Sequence, residues 1–155
     1  MFLYVAKSDP NITDKIFDSL RSGFDPDKTG HNIENLLRIR SIQILDSYIL
    51  ADEKRYSAYT VKANILLDMQ QVEEAKAVIE RSIDLGDERH SAYRQASNIS
   101  HRLKVSDAAI TYAEQAVDAK DNNDTTRANH KEHLANLLRI TGQLDDALAA
   151  VVENE

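Results

Sequence analysis

The sequence predicts an all-α fold, an α-solenoid of three helix-turn-helix repeats preceded by an N-terminal helical hairpin. Three observations lead there. A 34-residue stride relates one stretch of the chain to the next, and apolar residues recur at helical spacing along it. The 155 residues also include only four Gly and two Pro, too few for a turn-rich β structure.

The stride rests on two independent landmarks. Ser57-Ala58-Tyr59 recurs as Ser91-Ala92-Tyr93, and Ala75 recurs as Ala109. In that register Lys62-Ala63-Asn64-Ile65-Leu66 falls on Ala96-Ser97-Asn98-Ile99-Ser100, and again on Leu134-Ala135-Asn136-Leu137-Leu138. The third copy arrives 38 residues after the second. Its four extra residues belong in the polar stretch Asp121-Asn122-Asn123-Asp124-Thr125-Thr126, as a loop insertion that needs no packing partner. Helices are therefore predicted at about 56–69 and 71–85, 89–103 and 105–120, and 126–140 and 143–154, which makes repeats of 56–88, 89–122 and 126–155.

Small and apolar residues hold matching places in the three copies. These are Ala63, Leu66, Val72, Ala75, Ile79 and Ser82 in the first, Ser97, Ala109, Ala113 and Ala116 in the second, and Ala135, Leu138, Gly142, Leu144 and Ala147 in the third. On these residues the stretch from about 56 to 155 resembles the tetratricopeptide repeat family, whose period is 34. It departs from the family's pattern at Gln70 and Lys104, which stand where the third copy has its turn glycine, and at Ser100 and Ser106, where large apolar residues are usual. The resemblance implies antiparallel helix pairs stacked side by side, with the first helices lining a concave surface that holds extended peptides or short helices. The small residues have a physical reason, because helices approach to ~8–10 Å only where a side chain gets out of the way.

Residues 1–55 are expected to form a capping segment. Asn11 or Thr13 caps a helix at about 13–22 with Ile16, Phe17 and Leu20 on its apolar face, and Gly23 ends it. A second helix at about 31–51 carries Ile33, Leu36, Leu37, Ile42, Leu45, Tyr48 and Ile49, a stripe suited to covering the open end of the array. Between them Asp25-Pro26-Asp27-Lys28-Thr29-Gly30 resembles the opening half of a calcium-binding EF-hand loop, but Leu36 stands where the closing carboxylate is required. A weak calcium-binding helix-loop-helix module is one alternative reading. Another is an accessory or regulatory domain of a larger enzyme, such as a transferase, since the strand-like Phe2-Leu3-Tyr4-Val5-Ala6 suggests a piece of a longer protein.

Charge and composition narrow the partners. A net charge of -7 repels a phosphate backbone, so nucleic acid is not expected. The absence of Cys removes disulfides, thiolate metal sites and thiol nucleophiles, and agrees with a cytoplasmic setting. No apolar run approaches the ~20 residues of a membrane-spanning helix.

The candidate site is a stripe on the first helices. Asn64, Asn98 and Asn136 occupy equivalent positions, and an amide that both donates and accepts suits a peptide backbone. Near them, the family register places Thr60, Leu67 and Asp68, then Arg94, Gln95, His101 and Arg102, then Glu132, His133 and Arg139. Arg94, Arg102 and Arg139 would make this groove locally basic, so an acidic segment or a chain-terminal carboxylate is the expected ligand. No cofactor or metal is implied. His130 and His133 lie one helical turn apart, a spacing that could seat a metal or an acid-base pair, but at a polar helix start they are expected on the surface. No nucleophile elbow, P-loop or dinucleotide turn is present, so no catalysis is expected. In the last helix Leu148, Val151 and Val152 cluster on a face that nothing later in the chain covers, which points to further repeats, to another domain or to a homodimer through that helix.

Overall fold

A computed structural model describes residues 26–152, with side chains from Ile33 onward. Among the described residues are seven helices and no strand: α1 (Pro26–Ala51), α2 (Tyr56–Asp68), α3 (Val72–Asp84), α4 (His90–Arg102), α5 (Ser106–Asp118), α6 (Asp124–Ile140) and α7 (Leu144–Val152). The helices predicted for the repeats all form, as the pairs α2–α3, α4–α5 and α6–α7. The predicted helix at 13–22, the strand-like opening and Asp25 lie outside the described residues. The chain divides into two compact units, Met1–Arg40 and Ser41–Glu155, with the division inside α1.

Each pair closes with the same turn. Gln71 N–H donates to Leu66 O and Gln70 N–H to Leu67 O, a pattern repeated at Val105 and Lys104 and again at Gln143 and Gly142. This Schellman closure needs a left-handed residue after the helix, and Gln70 (φ 61°), Lys104 (φ 61°) and Gly142 (φ 84°) supply it. The two departures from glycine therefore keep the glycine conformation. Gly86 (φ 99°) ends α3 in the same way.

Packing follows the small residues. Ala63, Leu66, Ala75 and Ile79 of the first repeat bury against Ala92, Ala96 and Ile99 of α4. Ala109 and Ala113 of α5 bury against Leu134, Leu137 and Leu138 of α6. Fully burying a Leu or Ile side chain contributes ~1.5–3 kcal/mol, so Leu66, Ile79, Ile99, Leu134, Leu137 and Leu138 dominate the two clusters. Within the unit beginning at Ser41, the end of α1 joins the first cluster through Ile42.

Two expectations are corrected. The helix expected to start at 31 starts at Pro26, so Asp27 to Gly30 is helical backbone and does not form the open loop that an EF-hand wraps around calcium. Proline opens a helix readily because its missing N–H has no partner there in any case. The insertion, expected to be a free loop, is bonded to the helices on both sides. Asn123 caps α6 in a reciprocal box with Thr126, which starts that helix at Asp124 and not at 126. Asn122 Nδ2 donates to Ala116 O (2.7 Å), and Asp121 Oδ1 accepts from the His90 N–H at the start of α4 (2.9 Å).

Candidate functional site

The first helices lie side by side, because long-range hydrogen bonds run from α2 to α4 and from α4 to α6. Gln95 Nε2 donates to Thr60 O (3.1 Å) and Asn64 Oδ1 (2.6 Å), and His133 Nε2 lies 2.9 Å from Ser97 Oγ. The second helices are linked in turn by Tyr112 Oη donating to Glu80 Oε1 (3.3 Å). The predicted stripe thus lies along one face, as three adjacent rows.

On that face the structure sorts the predicted residues into two groups. Asn64, Asn98 and Asn136 are exposed, as are His101, Arg102 and Arg139. Arg139 Nη2 donates to Asn136 Oδ1 (3.0 Å), and Arg102 Nη2 reaches Gln70 Oε1 (3.4 Å). Asp68 and Glu132 are exposed beside them. Arg94 and His133 are half-buried and are drawn into contacts between repeats. Arg94 Nη1 donates to Asn129 O (3.3 Å) and faces His130 Nδ1 (3.4 Å). Burial lowers the Arg94 pKa, with Glu132 opposing it. Leu67 packs on the first cluster, and Thr60 takes bonds from Gln95 and from Arg89 Nη2 (3.3 Å). Gln95 is buried, with its Oε1 lacking a hydrogen-bond partner.

The histidine pair is also corrected. His130 is only 6% exposed, so it is a core residue and not a surface one. Its Nε2 lies 3.0 Å from His90 Nδ1, and the His90 Nε2 lies 3.9 Å from Asp121 Oδ2. His130 and His133 thus point to different partners on α4, and among the described residues no three His, Asp or Glu converge on a metal position. Burial lowers the pKa of both rings, reinforced by His90 and Arg94 at His130 and by Arg94, His101 and His130 at His133, which falls to about 4. His90 and Ser97 were not singled out from sequence as partners. The available signal was register, since His130 occupies the place of the buried Ala58 and Ala92.

A second anchor lies on the same side of the array. Asp87, almost wholly buried, accepts from Ser82 Oγ (2.7 Å) and from both Nε and Nη2 of Arg89 (2.8 Å each). Burial pushes the carboxyl pKa up, but the Arg89 and Ser82 bonds outweigh it and the net shift is downward. Away from this face, a cleft of about 630 Å³ lies between the end of α1, α2 and α3. Ile49, Leu50, Tyr59 and Val78 wall it, and the ion pairs Lys62–Asp46 and Arg81–Glu53 border it.

Comparison with known proteins agrees with the geometry. Residues 56–85 match the family model described as a tetratricopeptide repeat. Residues 56–85 form one tetratricopeptide repeat. Solved structures similar to the chain include MamA (17% identity, 70% of this chain and 61% of that one, TM-score 0.60). They also include YrrB, described as a TPR protein with an unusual peptide-binding site (24%, 80% and 66%, TM-score 0.62). A third is MamA 41-end from Desulfovibrio magneticus RS-1 (18%, 94% and 90%, TM-score 0.60). The chain spans under two thirds of the first two, and at these identities the likeness is one of fold. No curated protein sequence matches it.

Proposed function

We propose that this tetratricopeptide repeat chain is a non-catalytic scaffold that holds an acidic protein segment along the face of its first helices. The observation that carries the reading is that Asn64, Asn98 and Asn136, equivalent in register, are all exposed on one face with Arg102, Arg139 and His101 beside them. An amide both donates and accepts, as a peptide backbone requires, and the guanidinium groups match carboxylates. The peptide-binding site of the structural neighbour YrrB supports peptide binding as the mode. A cytoplasmic setting without nucleic acid or membrane partners belongs to the same proposal, supported by the absence of Cys and the net charge of -7. Among the described residues no helix is long and apolar enough to cross a membrane.

The test is binding of a fluorescein-labelled decaglutamate peptide, with decalysine as control. Wild type should prefer decaglutamate, and Asn64→Ala/Asn98→Ala/Asn136→Ala together with Arg102→Ala should weaken it at least tenfold, a loss of ~1.4 kcal/mol. Equal affinity for wild type and variant would move the site off this face.

A second reading is self-association through α7. That helix has no buried residue, and Leu148 is 66% and Val151 52% exposed, whereas Ile79, in register with Val151, is 0% exposed beneath α4. Light scattering should then show a dimer that Leu148→Glu dissociates; a wild-type monomer at high concentration would count against it.

A further inference from the structure

Donor bookkeeping at the α4–α6 seam assigns the protons on three imidazoles. An arginine only donates, so His130 Nδ1, facing Arg94 Nη1, must be the acceptor and the ring's hydrogen sits on Nε2. That hydrogen points at His90 Nδ1, which must then accept, leaving the His90 hydrogen on Nε2 toward Asp121. At the neighbouring contact, Ser97 Oγ gives its one hydrogen to Ala109 O at 2.7 Å. His133 Nε2 must therefore donate to Ser97 Oγ. The result is a directed relay from Arg94 through His130 to His90, with a second imidazole bond one turn along α6.

Such a relay has no room for another proton. If His130 gains one at Nδ1, two N–H groups face each other and the bond to Arg94 is lost. Against His130 stand Arg94 and His90 from α4 and Asp121 from the α5–α6 turn, while Arg94 and His101 from α4 and His130 from α6 act on His133. Asp121 alone among these favours the charged form, and only at His130. Glu132 acts on Arg94.

We propose that the α4–α6 seam is a proton-controlled latch on the binding face: with neutral rings it holds the Asn98 and Asn136 rows together, and acid releases them. The control of binding rests on the proposed groove, whereas the latch itself does not. The direction follows from linkage. Folded His130 and His133 take up protons only below the ordinary imidazole value of 6.5, down to about 4 for His133, so within that window the unfolded or opened seam binds more protons. Stability is complete above 6.5 and falls with pH through the window, by up to about tenfold in the folding constant per pH unit for each ring. Stacked repeats are coupled only through nearest neighbours, so the loss is local to this seam.

The register supplies a proton-blind version of the seam, because His130 aligns with Ala92 and His133 with Gln95. The experiment uses the full chain. Nitrogen NMR of the imidazoles at pH 7.5 should find all three hydrogens on Nε2; an Nδ1–H His130, or a charged one, overturns the proposal without any variant. Urea denaturation between pH 7.5 and 5 should be steeper in pH for wild type than for His130→Ala/His133→Gln, with His133→Gln alone as the milder variant. Equal slopes overturn the latch. Decaglutamate affinity should drop at least tenfold from pH 7.5 to 5 in wild type and less in the double variant; equal drops overturn control of the groove. Should wild type fail to bind at pH 7.5, the groove reading falls, and the NMR and urea measurements decide the latch by themselves.

Discussion

The two seams of the array do the same job with different chemistry. Between the first and second repeats, Ala92, Ala96 and Ile99 of α4 meet Leu66, Ala75 and Ile79, and the buried polar contacts include Gln95 and the Asp87–Arg89 clamp. Between the second and third, Leu134, Leu137 and Leu138 of α6 meet Ala109 and Ala113, and the place of Ala92 is taken by His130. The difference teaches that a solenoid tolerates a titratable group at a buried repeat position when the first helix of the preceding repeat offers partners, here His90 and Arg94. Without them, burying such a group would cost ~1–3 kcal/mol.

Three kinds of substitution break or sharpen this contrast, in order of expected effect. Ile99→Ala, in the aliphatic seam, should cost about 3 kcal/mol through lost burial and the cavity left behind, measured by urea unfolding. Leu137→Ala, its register partner, should cost about as much; a much smaller loss there would mean that the polar contacts dominate the second seam. Overpacking comes next. Ala75→Leu and Ala109→Leu fill the fully buried contact points of the two repeats and should each lower stability by about 1–3 kcal/mol, and unchanged midpoints for both would contradict the register. The smallest effect is a gain. Lys104→Gly and Gln70→Gly relieve left-handed backbone at non-glycine residues and should each stabilise by up to ~1 kcal/mol, seen as a higher melting temperature. Gly142→Ala should do the opposite through its backbone alone, since a Cβ there meets nothing within 4 Å.

Much of the fold was legible because a helical solenoid is written in local terms. The stride, the alanines at 63, 75, 92 and 109, and the apolar spacing each act within a helix or between adjacent helices. The site was legible in part. The asparagine row could be read from the period, but the withdrawal of Arg94 and His133 into the seam could not, because their partners lie 36 residues away on a neighbouring helix.

The sequence by itself determined the helices, their pairing and the row of exposed amides, since these follow from periodicity and from where small side chains allow close approach. Only the tertiary structure decided which polar side chains face solvent and which close a seam. It also decided that the insertion at 121–123 ties α4, α5 and α6 together and leaves no free loop. The reason is that a hydrogen-bond donor is satisfied by whatever acceptor folding brings within ~3 Å, and the choice among distant candidates leaves no mark on the local pattern.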